Sequence, residues 1–152
     1  MKLRCVDRIL GWEPWRAICG AKAVSFEEYC LPACLGLPEH LPSSLALESV
    51  FELARWLVVL SSEFQQIALP IELERCTFNR PLRPGEHMQI ELSAQPETNG
   101  EIVFSAQART RLAENLHVES ARARLLPLPD YCDPADLRVL YSEIHRPEAA
   151  RA

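Results

Sequence analysis

The 152-residue chain is short of several things that would assign it a class at once. Its first eight residues, Met1 to Arg8, lack the uninterrupted apolar run of a secretory signal, which predicts a cytoplasmic protein. It has no apolar stretch fit to span a bilayer: the most apolar segment, Leu45 to Leu60, holds 16 residues and carries Glu48, Glu52 and Arg55, whereas a span needs about 20 with few charges. It lacks an excess of positive charge, since 16 Lys+Arg against 21 Asp+Glu leave −5, which argues against a nucleic-acid partner or a polybasic membrane contact. No Cys-x-x-Cys occurs among its six cysteines. Cys30 and Cys34, with His40 as the one nearby addition, fall short of the four ligands of a zinc site, so no metal is expected. Scattered thiols in a chain this long read as reduced cysteines, in keeping with the cytoplasm. No internal repeat or low-complexity tract is present.

What remains is an ordinary globular composition, 48% hydrophobic and 24% charged, enough for one domain with a real core. Residues 3–10 and 16–24 read as two short strands around a turn at Gly11-Trp12-Glu13-Pro14. Residues 25–43 are broken by Pro32, Gly36, Pro38 and Pro42 into a loop of a length usually kept for function. Ser43-Ser44 then offers an N-cap, and a helix is predicted from about 45 to 62. Twelve of its residues 45–60 are apolar, with Glu48, Glu52 and Arg55 on a single stripe, the pattern of a buried helix. After Pro70 the period changes to two, with a phase shift that predicts a bulge near Glu74-Arg75. Met88, Ile90 and Leu92 alternate, Asn99-Gly100 marks a hairpin, and Ile102, Phe104, Ala106 and Ala108 share one face. A last strand at about 116–126 directs Ala121, Ala123 and Leu125 inward and ends at Pro127 and Pro129. A short amphipathic helix is expected at 134–146.

One long apolar helix among antiparallel strands needs a sheet curved around it. This predicts an α+β chain with the hot-dog fold, an antiparallel six-stranded sheet wrapped around one central buried helix, over 1–126, followed by a tail at 127–152.

Three stretches carry a more specific likeness. Val6-Asp7-Arg8-Ile9-Leu10 with Glu13-Pro14, Leu47-Glu48-Ser49-Val50-Phe51-Glu52, and Phe78-Asn79-Arg80-Pro81-Leu82-Arg83-Pro84-Gly85-Glu86 occur in consistent order and spacing across about 3–126. Together they resemble the beta-hydroxyacyl-acyl-carrier-protein dehydratases, whose third motif reads Phe-x-x-Pro-x-x-Pro-Gly-Asp. The resemblance implies 3-hydroxyacyl thioesters on an acyl carrier protein as substrates, in fatty-acid or polyketide-type biosynthesis, and no cofactor. It implies a dimer with paired acid–base chemistry: a His removes the proton beside the thioester carbonyl, backbone N–H groups at the helix start hold that carbonyl, and a Glu of the other subunit protonates the leaving hydroxyl. Burial in an apolar tunnel would raise that Glu's pKa.

By position Glu48 matches the Glu, and Glu52 falls where the family has Gln, with a bond to Arg55 at i+3 as its plainer role. Glu48 has its own plain alternative, a pairing with Arg55 across two turns. The His has no match. Counting fourteen back from Glu48 reaches Cys34, and aligning Leu37-Pro38-Glu39-His40 with the family's Phe-Pro-Gly-His puts Gly36 at the catalytic position. Ser43 or Ser44 replaces the family's Gly before the helix. Three readings stand: His40 fills the base position through a reshaped loop, Cys34 replaces the base, or the chain keeps the fold as a non-catalytic acyl-binding or heterodimer subunit. Thioester hydrolysis by a carboxylate and water is a further alternative. His87, His117 and His145 read as surface residues. Arginines 75, 80, 83, 109, 111, 122 and 124 read either as solvated strand faces or as a mouth suited to an acidic carrier protein.

Overall fold

The computed structural model describes residues 5–25, 36 and 40–145. Six strands, β1 (Arg8–Glu13), β2 (Ala17–Ala23), β3 (Gln66–Phe78), β4 (His87–Pro96), β5 (Glu101–Arg109) and β6 (Glu114–Pro127), form one antiparallel sheet in the order β1-β2-β4-β5-β6-β3. Helix α1 (Ser43–Ser61) lies against it and α2 (Pro134–Ile144) follows a 3-10 turn at Leu128–Asp130. This is the hot-dog arrangement. Among the described residues no helix is long and apolar enough to cross a membrane.

The alternating strands bury what their period requires. Met88, Ile90 and Leu92 of β4, Ile102, Phe104, Ala106 and Ala108 of β5, and Ala121 and Ala123 of β6 face α1, whose Val50, Leu53, Leu57 and Val58 are fully buried. The Phe51 ring meets Phe104 edge-on at 6.2 Å. Gly20 leaves no room for a side chain under the helix: a Cβ there would lie 2.8 Å from a Leu53 methyl and 3.1 Å from the Arg8 carbonyl, so Leu53 would have to shift. Gly100 takes φ +78° in the Asn99-Gly100 turn, a conformation glycine adopts without cost.

Several boundaries differ from the expectation. β1 runs on through Glu13 because its register slips between Ile9 and Gly11; the turn therefore moves to residues 14–16, where Trp15 adopts φ 60°. β3 starts at Gln66 and passes through Pro70, which an edge strand tolerates because it has one neighbour instead of two. Register shifts fall at Pro70/Glu72 and on both sides of Arg75, in line with the phase change seen there. The 79–86 turn is pinned by Asn115, a buried residue the sequence pattern did not single out: its side-chain oxygen accepts the Thr110 N–H at 2.9 Å and its amide nitrogen donates to the Arg80 carbonyl at 3.2 Å.

The segment after β6 is packed, with Asp133 capping α2 by accepting the Ala135 N–H. Tyr141 stands 6.0 Å from Trp56 and 6.5 Å from Phe64 and receives the Trp12 indole N–H at 3.3 Å, while Ile144 is buried. Replacing Gly20 by Val should cost about 1–3 kcal/mol through overpacking against Leu53, measured as a lower urea midpoint at unchanged m-value.

Candidate active site

The chain enters α1 along a fixed path. The Leu41 N–H donates to the Leu82 carbonyl at 2.7 Å, and both side chains are buried. The carbonyl of Pro42 then accepts the N–H groups of Leu45 and Ala46, so Pro42 is the N-cap, at φ −52° and ψ 134°, and makes no side-chain cap bond. This corrects the capping expected of Ser43 and Ser44: both are exposed residues of the first turn, because the Leu41–Leu82 bridge sets the start of the helix one residue earlier. His40 is half-buried at this entrance. Gly36 is exposed with φ +67°, a position favourable to glycine and without a side chain for acid–base work. Cys34 lies outside the described residues.

The charged stripe of α1 resolves into two distinct carboxylates. Glu48 accepts from Arg55 Nη1 at 2.6 Å, with side chains 36% and 30% exposed. Glu52 instead accepts the backbone N–H of Cys5 at 2.6 Å. The i+3 bond expected between Glu52 and Arg55 therefore gives way to a seven-residue reach: the Cys5 amide occupies Glu52, and the guanidinium turns to Glu48. Burial pushes the Glu52 pKa up, opposed by the Cys5 N–H, the Arg55 charge and a Trp56 side-chain hydrogen bond, and reinforced by the negative charge of Glu48. So the carboxylate of α1 that burial biases toward its protonated form is Glu52, whereas Glu48 faces a cation as a hydrogen-bond acceptor. Ser49, buried between them in sequence, returns its hydroxyl to the Leu45 carbonyl.

The open clefts of the single chain lie elsewhere. One, of about 430 Å³, is on the far face of the sheet and is lined by Trp12, Cys19, Glu91 and neighbours of β1, β2 and β4, without Glu48, Glu52 or His40. Most of the singled-out arginines are neutralised across strands: Arg75 by Glu119 at 3.0 Å, Arg109 by Glu91, Arg122 by Glu72 and Glu101, and Arg124 by Glu101. Arg80 pairs with Glu86 at 2.6 Å. Burial alone would raise the pKa of Glu86, but the Arg80 bond, the Arg83 N–H and the charges of both arginines hold it below its ordinary value. Among the described residues Arg111 has no ion-pair partner, and Arg83 meets Glu86 through its backbone N–H and its charge. His117 approaches Glu114 at 3.9 Å, His145 stacks on Tyr141 at 4.8 Å, and His87 is exposed.

No family model matches the chain. It is similar to the 3-hydroxyacyl-[acyl-carrier-protein] dehydratase FabZ of Nitrosospira multiformis, 26% identical over 113 residues that span 70% of this chain and 75% of that one. The same enzyme from Alkalilimnicola ehrlichii is 24% identical over 107 residues, 68% of this chain and 69% of its own. Among solved structures it resembles a hot-dog-like protein from Thermanaerovibrio acidaminovorans, with TM-score 0.62, 12% identity and coverage of 89% and 92%. The fluoroacetyl-CoA thioesterase FlK superposes with TM-score 0.60 at 12% identity over 85% of this chain and 97% of that one. A Streptococcus mutans protein bound to acetyl CoA gives TM-score 0.62 at 9% identity over 79% and 88%.

Because burial raises the folded-state pKa of Glu52, the native protein binds more protons than the unfolded chain between the ordinary carboxylate value and the raised one. Its ionisation therefore erodes stability as pH rises through that range. Glu52→Gln keeps an acceptor for the Cys5 N–H, and its stability relative to wild type should be level below the ordinary carboxylate range, rise as the pH passes up to the raised Glu52 value and level off above it, as measured by urea unfolding across pH.

Proposed function

Taking this chain as a divergent hot-dog protein, we propose that it binds acyl thioesters at the N-terminal end of α1 and that Glu48 is the residue meeting the acyl group. The observation that carries the reading is a charged pair set on an otherwise buried helix. Glu48 and Arg55 remain about one-third exposed where Val50, Leu53 and Leu57 are fully covered. Glu48 lies five residues from the start of α1, about 7–8 Å along the axis, near the N–H groups of a first turn that has no side-chain cap. Those donors suit a thioester carbonyl on which charge develops. The likeness to FabZ supports 3-hydroxyacyl thioesters of an acyl carrier protein as the substrate class, with His40 at the helix entrance as the base.

The working unit in this proposal is a dimer. β3 is a 13-residue edge strand on which Leu69, Ile71, Leu73 and Phe78 are 38–46% exposed, an apolar edge that a second subunit would cover. A heterodimer with a related hot-dog subunit fits the same edge. In this reading the partner also covers Glu48, which the single chain leaves about one-third exposed.

One observation favours hydrolysis over dehydration. Dehydration asks Glu48 to donate a proton, yet it faces Arg55 as an acceptor. An ionised carboxylate can instead take a proton from water as that water attacks the thioester carbonyl; the C–S bond then breaks and the thiol leaves with a proton. A non-catalytic acyl-binding subunit would need neither step.

The assays separate these chemistries. Light scattering at micromolar concentration should give twice the chain mass; a monomer refutes the dimer. Glu48→Gln should abolish turnover of an acyl thioester with the fold intact. His40→Ala should cost about 10²–10⁴-fold in hydration of a 2-enoyl thioester and leave hydrolysis unchanged. A protein that turns over neither substrate but retains acyl-thioester binding is the non-catalytic subunit. Full turnover by Glu48→Gln assigns that residue a structural part only.

A further inference from the structure

Three segments meet at the end of the sheet where the chain enters α1. Leu41 is bonded to Leu82 of the 79–86 turn. Arg80 of that turn donates to the Thr110 hydroxyl at 3.4 Å, and buried Asn115 ties the Thr110 N–H to the Arg80 carbonyl. On the outer face of the sheet at this same end, β1, β2, β4 and the end of β5 with the turn after it form an open cleft of about 380 Å³. Leu10 and Ala21 supply its apolar side, and His87, Arg109, Thr110 and Arg111 its polar side. Among the described residues no carboxylate lines it.

That composition runs against the rest of the molecule. The chain carries −5 overall, and four of the seven arginines singled out, 75, 109, 122 and 124, are met by cross-strand glutamates on the outer face of the sheet. Arg111, exposed at the rim, has no carboxylate partner among the described residues, and Arg109 shares its charge with the single carboxylate of Glu91. A guanidinium is a planar fork of N–H donors suited to phosphate oxygens; Arg111 brings one to the cleft without a carboxylate partner, and Arg109 brings a second whose Nη2 is held by Glu91. An aromatic nitrogen donor at His87 completes the polar side. Asn115 accepts the Thr110 N–H and donates to the Arg80 carbonyl, so the turn from which Arg111 projects is anchored without a ligand.

We propose that this cleft binds a phosphate group, the one on the arm that carries the thioester, whether in coenzyme A or in the prosthetic group of a carrier protein. The identity of that phosphate rests on the reading in the preceding subsection; anion binding by the cleft does not. The location gives the reason for pairing the two: the cleft and the α1 N-terminus belong to one end of the sheet, joined through the 79–86 turn. An acyl group held at α1 would then have its charged carrier anchored at that end.

Isothermal titration of the full chain tests this with coenzyme A, dephospho-coenzyme A, inorganic phosphate and a holo carrier protein. Arg111→Gln is the variant, because the residue is exposed and its loss leaves the core untouched, and Arg75→Gln is the control. The expected result is binding that Arg111→Gln weakens at least tenfold and Arg75→Gln leaves unchanged, with competition by inorganic phosphate and loss at high salt. Weaker binding of dephospho-coenzyme A than of coenzyme A identifies the nucleotide phosphate as the ligand. Sensitivity of the holo carrier to Arg111→Gln identifies the prosthetic-group phosphate. Equal affinity of wild type and Arg111→Gln for every probe, or no binding of any probe by wild type, overturns the proposal. Phosphate-dependent binding by a protein that neither binds nor turns over the acyl thioester would leave this site standing and remove the reading of α1.

Discussion

Burial of α1 is the constraint on which the rest depends. A 19-residue helix with ten buried residues cannot stand on a flat surface, so the sheet must bend around it, and the register shifts of β1, β3 and β6 are where it bends. Where β2 passes under the helix the chain places Gly20 beneath Leu53. The same burial decides what polar groups on α1 do. Ser49 must bond its own helix, and each charged side chain must find an opposite charge or an amide before it is covered.

That requirement divides two glutamates one turn apart. Glu52 is taken by the Cys5 N–H, which also anchors the segment leading into β1, and the loss of water around it favours its neutral form. Glu48 takes the guanidinium and keeps access to the surface. The two carboxylates therefore differ in what they touch: a backbone amide for Glu52 and a guanidinium for Glu48. The contact with Arg55 is the reason the proposed hydrolytic chemistry stands beside the dehydratase-like one.

The sheet has an equally uneven outer surface. Glutamates answer arginines across β4, β5, β6 and β3, an arrangement that stabilises little per pair when exposed but removes net charge from the middle of the face. Positive charge survives at the corner nearest the α1 entrance, and apolar side chains survive on the β3 edge. Both features are unbalanced in a single chain, and both sit at the margins of the fold where another molecule can reach them.

Periodicity alone determined the architecture: the near-continuous apolar run of α1, the alternation in β4, β5 and β6 and the Asn99-Gly100 turn each set a local conformation whose buried face follows from the side-chain pattern. The 48-position carboxylate was legible for the same reason, since a charge in an apolar run is conspicuous. Partners were not legible. That Glu52 would meet an amide 47 residues away, that Arg55 would pass over the nearer carboxylate, that Pro42 would cap the helix ahead of two serines, and that Asn115 would pin the 79–86 turn were decided by tertiary structure. Local pattern reports which face of an element avoids water, while a hydrogen bond or ion pair depends on which distant backbone arrives opposite it, and only the closed sheet settles that distance.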